Sequence, residues 1–419
     1  MPLKQFSPVF IIAMTMIGLM GLTIFFPAES FHASLKGVAI WWDVLFPALF
    51  PFFVISEMML GMGLVHFFGT LFDPIMRPLF RIPGIGGFVM AMGFAAGYPI
   101  GARLTSQLWE QRLVNREEGE RLVAFTTSSD PIFLIGAVSL GFFQDAGLAG
   151  ILAAAHYGTA ILLGLLMRFH GRRATGPSHA EPAAPRPLGA SSNIIARAFE
   201  AMHAARMQDG RALGDMLQQA VRTSLQNILV VGGLVVFFSV VMEIMTSAHI
   251  MSIFYIGINS VLQFFGVPLA LSQAVANGLF EVTLGAKAAG GAGAQIDLVY
   301  KTAIAAFVLS WAGLSVHAQI VSLLHHTNLR YLPFCAARLL HGLMAAAAVF
   351  VLWEPLQPYR GAIAAFVPNL DVASPITTLL KYTVPWGAVS FAAAVLALVL
   401  LYLLYRITKP WMKLLGKYR

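Results

Sequence analysis

The chain has 419 residues, of which 58% are apolar (Ala, Val, Ile, Leu, Met, Phe, Trp, Tyr, Cys) and only 11% are charged. Soluble domains run near about 45–50% apolar and about 25% charged, so this composition excludes a soluble enzyme, a secreted disulfide scaffold and a disordered chain. It predicts an all-α integral membrane protein with about eight transmembrane helices and loops to spare. The net charge of +8 does not form a basic stripe interleaved with aromatics, and nucleic acid is not an expected partner. Cations collect instead between apolar runs and in the tail (Arg406, Lys409, Lys413, Lys417, Arg419), as in positive-inside loops. Cys335 is the only cysteine, so neither an intrachain disulfide nor a cysteine zinc cluster can form.

In chain order, residues 1–35 hold an apolar run that ends in FFPAES without a small-x-small cleavage site. It reads as a retained first helix rather than a signal peptide. With Lys4 inside, Val9–Phe26 runs outward and Lys36–Val65 returns. Arg77 and Arg81 precede the stretch Ile82–Glu110, and Arg112, Arg116 and Arg121 follow it. Both clusters are cytoplasmic by the positive-inside rule, so that stretch enters and leaves on one side as a re-entrant hairpin. Leu122–Phe143 and Leu148–Phe169 complete a first unit over 36–170. The text then turns polar over 171–222, a cytoplasmic linker whose first half, RRATGPSHAEPAAPRPLGASS, predicts a flexible segment and whose second half, with Arg197, Arg206 and Arg211, is helix-forming. A second unit over 223–355 crosses at Asn227–Ser247, carries a hairpin near Gly266–Ile296, and crosses again at Lys301–Leu324 and Phe334–Trp353. Residues 356–419 add a last span, Pro375–Arg406, and the basic tail. Lys287 and Lys301 fit this topology poorly, since both fall on its outer side.

The two units carry matching landmarks. Phe52-Phe53 with Glu57 matches Phe237-Phe238 with Glu243, the glutamates 186 positions apart. GYPIGAR (Gly97–Arg103) matches EVTLGAK (Glu281–Lys287), with Gly101 and Gly285 separated by 184. AFTTSSDPIF from Ala124 matches AFVLSWAGLS from Ala306 at a spacing of 182, and His156 and His341 lie 185 apart. A near-constant offset predicts an internal duplication. Three crossings and a hairpin make each unit odd, so the copies face opposite ways and form an inverted repeat.

Inverted repeats with short, Gly-interrupted segments in corresponding positions point to a carrier with its site near the midplane. Helix ends inside the hairpins offer free N–H groups to a solute, although glycines also serve close helix packing. The hairpins put forward Gly97, Tyr98, Pro99, Gly101 and Arg103 in one copy, and Asn277, Glu281, Thr283, Gly285 and Lys287 in the other. Arg103 and Lys287 are intramembrane cations suited to a phosphate or carboxylate; alternatively each snorkels to its interface or pairs with a carboxylate such as Glu281. Ser128, Ser129 and Asp130 precede Pro131 in mid-span, and Ser310, Ser315 and His317 flank a Trp-Ala-Gly break, so both segments read as unwound helices. Glu57 and Glu243 are candidates for carrying a coupling Na+ or H+, or for pairing within their own units. His156 and His341 are read as bonding across helices. GAKAAG is not a nucleotide-binding loop, and no metal-ligand or nucleophile spacing appears, so neither catalysis nor a resident cofactor is expected.

WDVLFPALFPFFVISEMM, MGFAAGYPIGARL and EEGERLVAFTTSSDPIFLIGAV resemble the bacterial sporulation integral membrane protein YlbJ family, whose members carry paired nucleoside-recognition (gate) domains. GLFEVTLGAK and LSWAGLSVHAQI are similar to that family's second copy. The resemblance runs from about Trp41 to Pro355. Gate domains also occur in concentrative nucleoside transporters and in the membrane part of the ferrous-iron transporter FeoB. It therefore implies an ion-coupled carrier, elevator-type, in a bacterial cytoplasmic membrane, and a homodimer by analogy; the charge topology above puts both termini in the cytoplasm. The Gln-Thr-Glu-type ligand pattern of the nucleoside carriers is absent, as is a membrane cysteine suited to iron. The expected cargo is a small polar or anionic solute. Two alternatives stay open: an anionic lipid as substrate, and a non-transporting structural or signalling role in envelope assembly.

Overall fold

The computed structural model describes residues 8–171 and 194–362. The expected span Pro375–Arg406, the basic tail and the Pro/Ala-rich part of the linker lie outside those residues. Every regular element among the described residues is helical, as an all-α membrane protein requires, because in lipid a helix satisfies its own backbone.

The chain opens with α1 (Pro8–Phe25) and α2 (Pro27–Ala39), bent 103° from one another. Pro27 accounts for the bend: it suits the first turn of α2 but offers no N–H to prolong α1. A π-helical stretch, Ile40–Leu45, leads into α3 (Phe46–Gly61), and Gly63 at φ +78° turns the chain by 83° into α4 (Leu64–Phe80). The expected single span Lys36–Val65 is thus divided, and an unexpected apolar helix follows it.

Next come α5 (Ile85–Ala96) and α6 (Tyr98–Glu110), then α7 (Arg116–Thr126) and a π-helical segment, Ile132–Phe142. Asn115 starts α7 through a capping box: its side chain accepts from the Glu118 N–H at 2.9 Å, and Glu118 accepts from the Asn115 N–H at 3.0 Å. α8 (Leu148–Met167) closes the first half. After α9 (Ile194–Asp209), the second half runs α10 (Leu213–Ser247), α11 (Met251–Phe264), α12 (Ser272–Phe280), α13 (Val282–Gly290), α14 (Leu298–Trp311), α15 (Gly313–Leu324) and α16 (Tyr331–Leu356). From α3 onward the first half runs in the same order as the second: two helices, a helical pair, a broken helix, and one long helix.

Four helices among the described residues are long and apolar enough to cross a membrane, or up to six if each bent pair is one span. Against the eight expected, one span is outside the described residues and another, Leu122–Phe143, is interrupted after Thr126. The paired helices cannot cross alone. At about 1.5 Å per residue α12 and α13 are each about 13 Å long, and α5 and α6 about 18–20 Å, against about 30 Å of hydrocarbon. They fold back as hairpins instead. The Cβ positions of Gly93 and Gly101 lie 2.4 and 2.7 Å from the same Thr126 carbonyl oxygen, and that of Gly285 lies 2.3 Å from the Gly278 Cα. The halves share one apolar core, in which Val123, Ile151 and Leu152 pack with Val308, Ile320 and Val349.

Candidate functional site

The tip of each hairpin meets the break of a broken helix. In the first half, Gly97 ends α5 at φ +93°, a backbone shape that favours glycine. A Cβ there would sit 3.1 Å from an Asp130 carboxylate oxygen, in the gap after α7. In the second half, Ala312 and Gly313 both take left-handed φ, +75° and +74°, between α14 and α15. The Gly313 Cβ position is 3.0 Å from the Phe280 carbonyl and 3.1 Å from the Glu281 backbone, at the tip of the other hairpin. A non-glycine residue held at such a φ is strained by about 1–2 kcal/mol, a feature that clusters at functional sites.

Between the two breaks lies a buried polar cluster. His156, on α8, is fully buried. Its Nε2 accepts from the Ser129 N–H at 3.1 Å and lies 2.9 Å from the Ser128 hydroxyl, while Nδ1 lies 2.8 Å from the Ser310 hydroxyl. Because an amide can only donate, Nε2 must carry the lone pair, and the ring proton sits on Nδ1 and is donated to Ser310. One neutral imidazole therefore ties the first break to α14. His341, on α16, donates from Nε2 to the His156 carbonyl at 2.9 Å, so both histidines bond across helices as expected. Tyr157 donates to the Ser129 carbonyl at 2.9 Å, and Tyr98, beside the first hairpin tip, donates to the Leu309 carbonyl at 2.8 Å.

Arg338, on α16, is the fully buried cation of this cluster, and its importance was not visible in local motifs. Its Nη1 donates to the Thr127 carbonyl at 2.6 Å, and its Nη2 donates to the Ser310 carbonyl. Both carbonyls are freed by the helix breaks. Its Nε and the Nδ1 of His341 have no hydrogen-bond partner among the described residues, although burying a polar atom unpaired is costly. The signal that could have revealed Arg338 is its position: a lone arginine inside the apolar run Phe334–Trp353.

The other predicted residues lie apart from this cluster or only border it. Arg103 is half-buried with Nη2 3.9 Å from Glu57, whose carboxylate accepts from Gln107 at 2.7 Å. Gly101 packs on Thr126, and Pro99 lies in the first turn of α6. Asp130 caps the π-helical segment, accepting from the Phe133 N–H at 2.8 Å. Glu281 caps α13 by accepting from the Leu284 N–H at 2.7 Å, with Thr283 and Gly285 in the turns that follow. Asn277, Glu281 and Glu243 line a cavity on the far side of that hairpin. Ser315 is buried in the first turn of α15. His317 lies 3.0 Å from the Trp311 carbonyl and 2.9 Å from the Tyr331 hydroxyl, away from His156. Lys287 is exposed and does not join Arg103. Lys301, anomalous in the topology, is buried and donates to the Ala292 carbonyl, which explains it as a loop tie.

Apolar helices long enough to cross a membrane, short apolar hairpins and a buried polar centre define an all-α integral membrane protein, and the comparisons supply its family. The profile of the gate family, described as nucleoside recognition, matches residues 43–129, which run from the π-helical stretch before α3 into the first break. The sporulation integral membrane protein YlbJ of Bacillus subtilis (strain 168) is 42% identical over 330 residues, covering 79% of each chain. The chain belongs to the YlbJ family of sporulation integral membrane proteins. No solved structure matches it.

Proposed function

We propose that the protein is a secondary transporter, moving a small polar or anionic solute between the two hairpins on an Na+ or H+ gradient, with no catalytic step and no resident cofactor. The two halves act as inverted repeats, and the hairpins with the broken helices form the moving core of an elevator in the cytoplasmic membrane. The observation that carries this reading is Arg338. A charged side chain at membrane depth costs at least about 2.5 kcal/mol, and its fork here spans carbonyls from both helix breaks. A scaffold has no need of that expense, whereas a carrier gains a donor that can exchange a carbonyl for a solute oxygen. Irregular backbone at such depth is tolerated where it lines a cavity or is covered by protein, and discontinuous helices supply the solute contacts of many carriers.

The test is ligand-induced thermal stabilisation of the purified protein across nucleosides, organic anions and phosphates. A ligand at about 100 times its Kd adds about 2.7 kcal/mol. Arg338→Gln is expected to weaken a hit by about a hundredfold, the equivalent of one charged hydrogen bond. Arg103→Ala should weaken it less, and Lys287→Ala should leave it unchanged. A hit indifferent to Arg338→Gln would remove the site from this cluster.

A further inference from the structure

α9 has three distinct sides. Ala198 is fully buried, and α9 packs antiparallel to α4: the Phe199 and Phe67 rings lie 5.0 Å apart, and the Gly63 Cβ position lies 3.1 Å from the Ala205 Cβ. On a second side Ile195, Phe199, His203 and Met207 recur every fourth residue, and all four are exposed, Met207 at 68%. The third side, also exposed, holds Arg197, Glu200 and Gln208. Arg206 borders the apolar stripe but turns back, donating to the Arg211 carbonyl at 2.6 Å with Asp209 3.6 Å away. His203, within the stripe, has an apolar body and a polar tip. Leu213 and Leu217, where the chain enters α10, are exposed as well.

The place of α9 in the fold decides what covers that stripe. α2, the π-helical stretch and α3 run antiparallel along α10: Gly37 lies on Val236, Trp41 on Gly232 and Gly61 on Met216. With 35 residues α10 is about 52 Å long, enough to span the about 40–45 Å of a bilayer with its headgroups. Gly61 and Met216, near one end of this pair, therefore stand at headgroup depth. There the chain turns by 83° into α4, which sends α4, with α9 alongside, across the end of the pair and along the membrane plane. α4 in turn supports the first hairpin, with Gly69 on Ile85 and Gly87 on Phe72. A helix in that plane, with one apolar and one polar exposed side, matches amphipathic helices sunk about 5–10 Å into the boundary between headgroups and acyl chains. We propose that α9 is an interfacial helix: Phe199 and Met207 enter the lipid of the cytoplasmic leaflet, while Arg197, Glu200 and Gln208 face water. The second half of the expected cytoplasmic linker is thereby a membrane anchor. It holds α4, and the hairpin resting on it, at the membrane surface, whether or not a solute is carried.

The experiment attaches one environment-sensitive fluorophore at a time to the full chain, through Phe199→Cys, Met207→Cys, Glu200→Cys or Gln208→Cys in a Cys335→Ser background. Each labelled protein is placed in nanodiscs of phosphatidylcholine and phosphatidylglycerol. Nitroxide groups on the acyl chains quench from the lipid, and iodide quenches from the water. Fluorophores at positions 199 and 207 are expected to emit further to the blue, to be quenched by the nitroxide lipid and to be shielded from iodide. Those at positions 200 and 208 are expected to be quenched by iodide and not by the lipid. Melting temperatures check that each labelled protein is folded. Phe199 also touches Phe67, so the more exposed Met207 decides the outcome if Phe199→Cys proves unstable. Iodide quenching at all four positions would overturn the proposal. Shielding of position 207 from both quenchers would overturn it as well, because protein, a second copy or another partner, would then cover the stripe.

Discussion

At the residue scale, two buried charges do different work. Arg338 reaches carbonyls that have lost their helical donors, whereas Glu120, 1% exposed, is enclosed by donors from elsewhere in the chain. Arg330 donates to Glu120 from Nε and Nη2 at 2.8 Å and from its backbone N–H at 3.0 Å, and His170 Nε2 lies 2.6 Å away. This ties the start of α7 to the start of α16 and the end of α8, ahead of the apolar part of α7. Burial pushes the Glu120 carboxyl up, but the hydrogen bonds from Arg330 and His170 outweigh it and hold it below the usual carboxylate range. A carboxylate depressed in the folded state contributes stability above its unfolded pKa of about 4.3, and that contribution is lost as pH falls through the folded value. Melting temperature should therefore fall as the wild type is acidified below about pH 4.3. Glu120→Gln should melt lower at pH 7, by the equivalent of about 2 kcal/mol, and should lose less on acidification. Parallel curves for the two proteins would contradict this assignment. None of these contacts was legible in the sequence, because Glu120 and Arg330 are 210 positions apart and neither sits in a motif.

At the scale of elements, glycine placement decides which helices can meet. A Cβ on Gly285 would fall 2.3 Å from the Gly278 Cα, backbone against backbone, with no side chain to yield. Gly285→Ala should cost about 2 kcal/mol or more by overpacking and spread the second hairpin. Gly158, in α8, is exposed and has open space around its Cβ position. Gly158→Ala should be neutral or stabilising by up to about 1 kcal/mol. Thermal unfolding of the two variants side by side checks the pair, and equal effects would mean that the hairpin does not close at Gly285. Both hairpins were legible because glycine-rich runs too short to cross stand out against long apolar spans. α4 was not. Asp73, Pro74, Arg77 and Pro78 break its apolar pattern, yet the helix runs through them, with Arg77 paired to Asp73 one turn away at 2.7 Å. α11 was missed for a related reason: its glycine, serine and asparagine weaken a run of only 14 residues.

For the whole molecule, the polar centre forms only when the halves come together. His156 and Ser310 are 154 positions apart, and Arg338 and Thr127 are 211 apart. The sequence placed the serines at helix breaks and the histidines on apolar helices, but no local spacing could bring Arg338 between them. Matched cations on the two hairpins, the pattern most visible in the sequence, do not meet: Arg103 faces Glu57 and Lys287 is exposed. Positive charge at the centre comes from Arg338 and not from either hairpin cation.

Solute flux in proteoliposomes under an imposed proton or Na+ gradient, with radiolabelled carboxylates, phosphorylated solutes and nucleosides as cargo, tests transport itself. The account predicts accumulation of at least one class above its equilibrium level, abolished by collapsing the gradient and reduced about a hundredfold by Arg338→Gln. Wild-type protein that is folded, yet passes none of these faster than empty liposomes do, would contradict it.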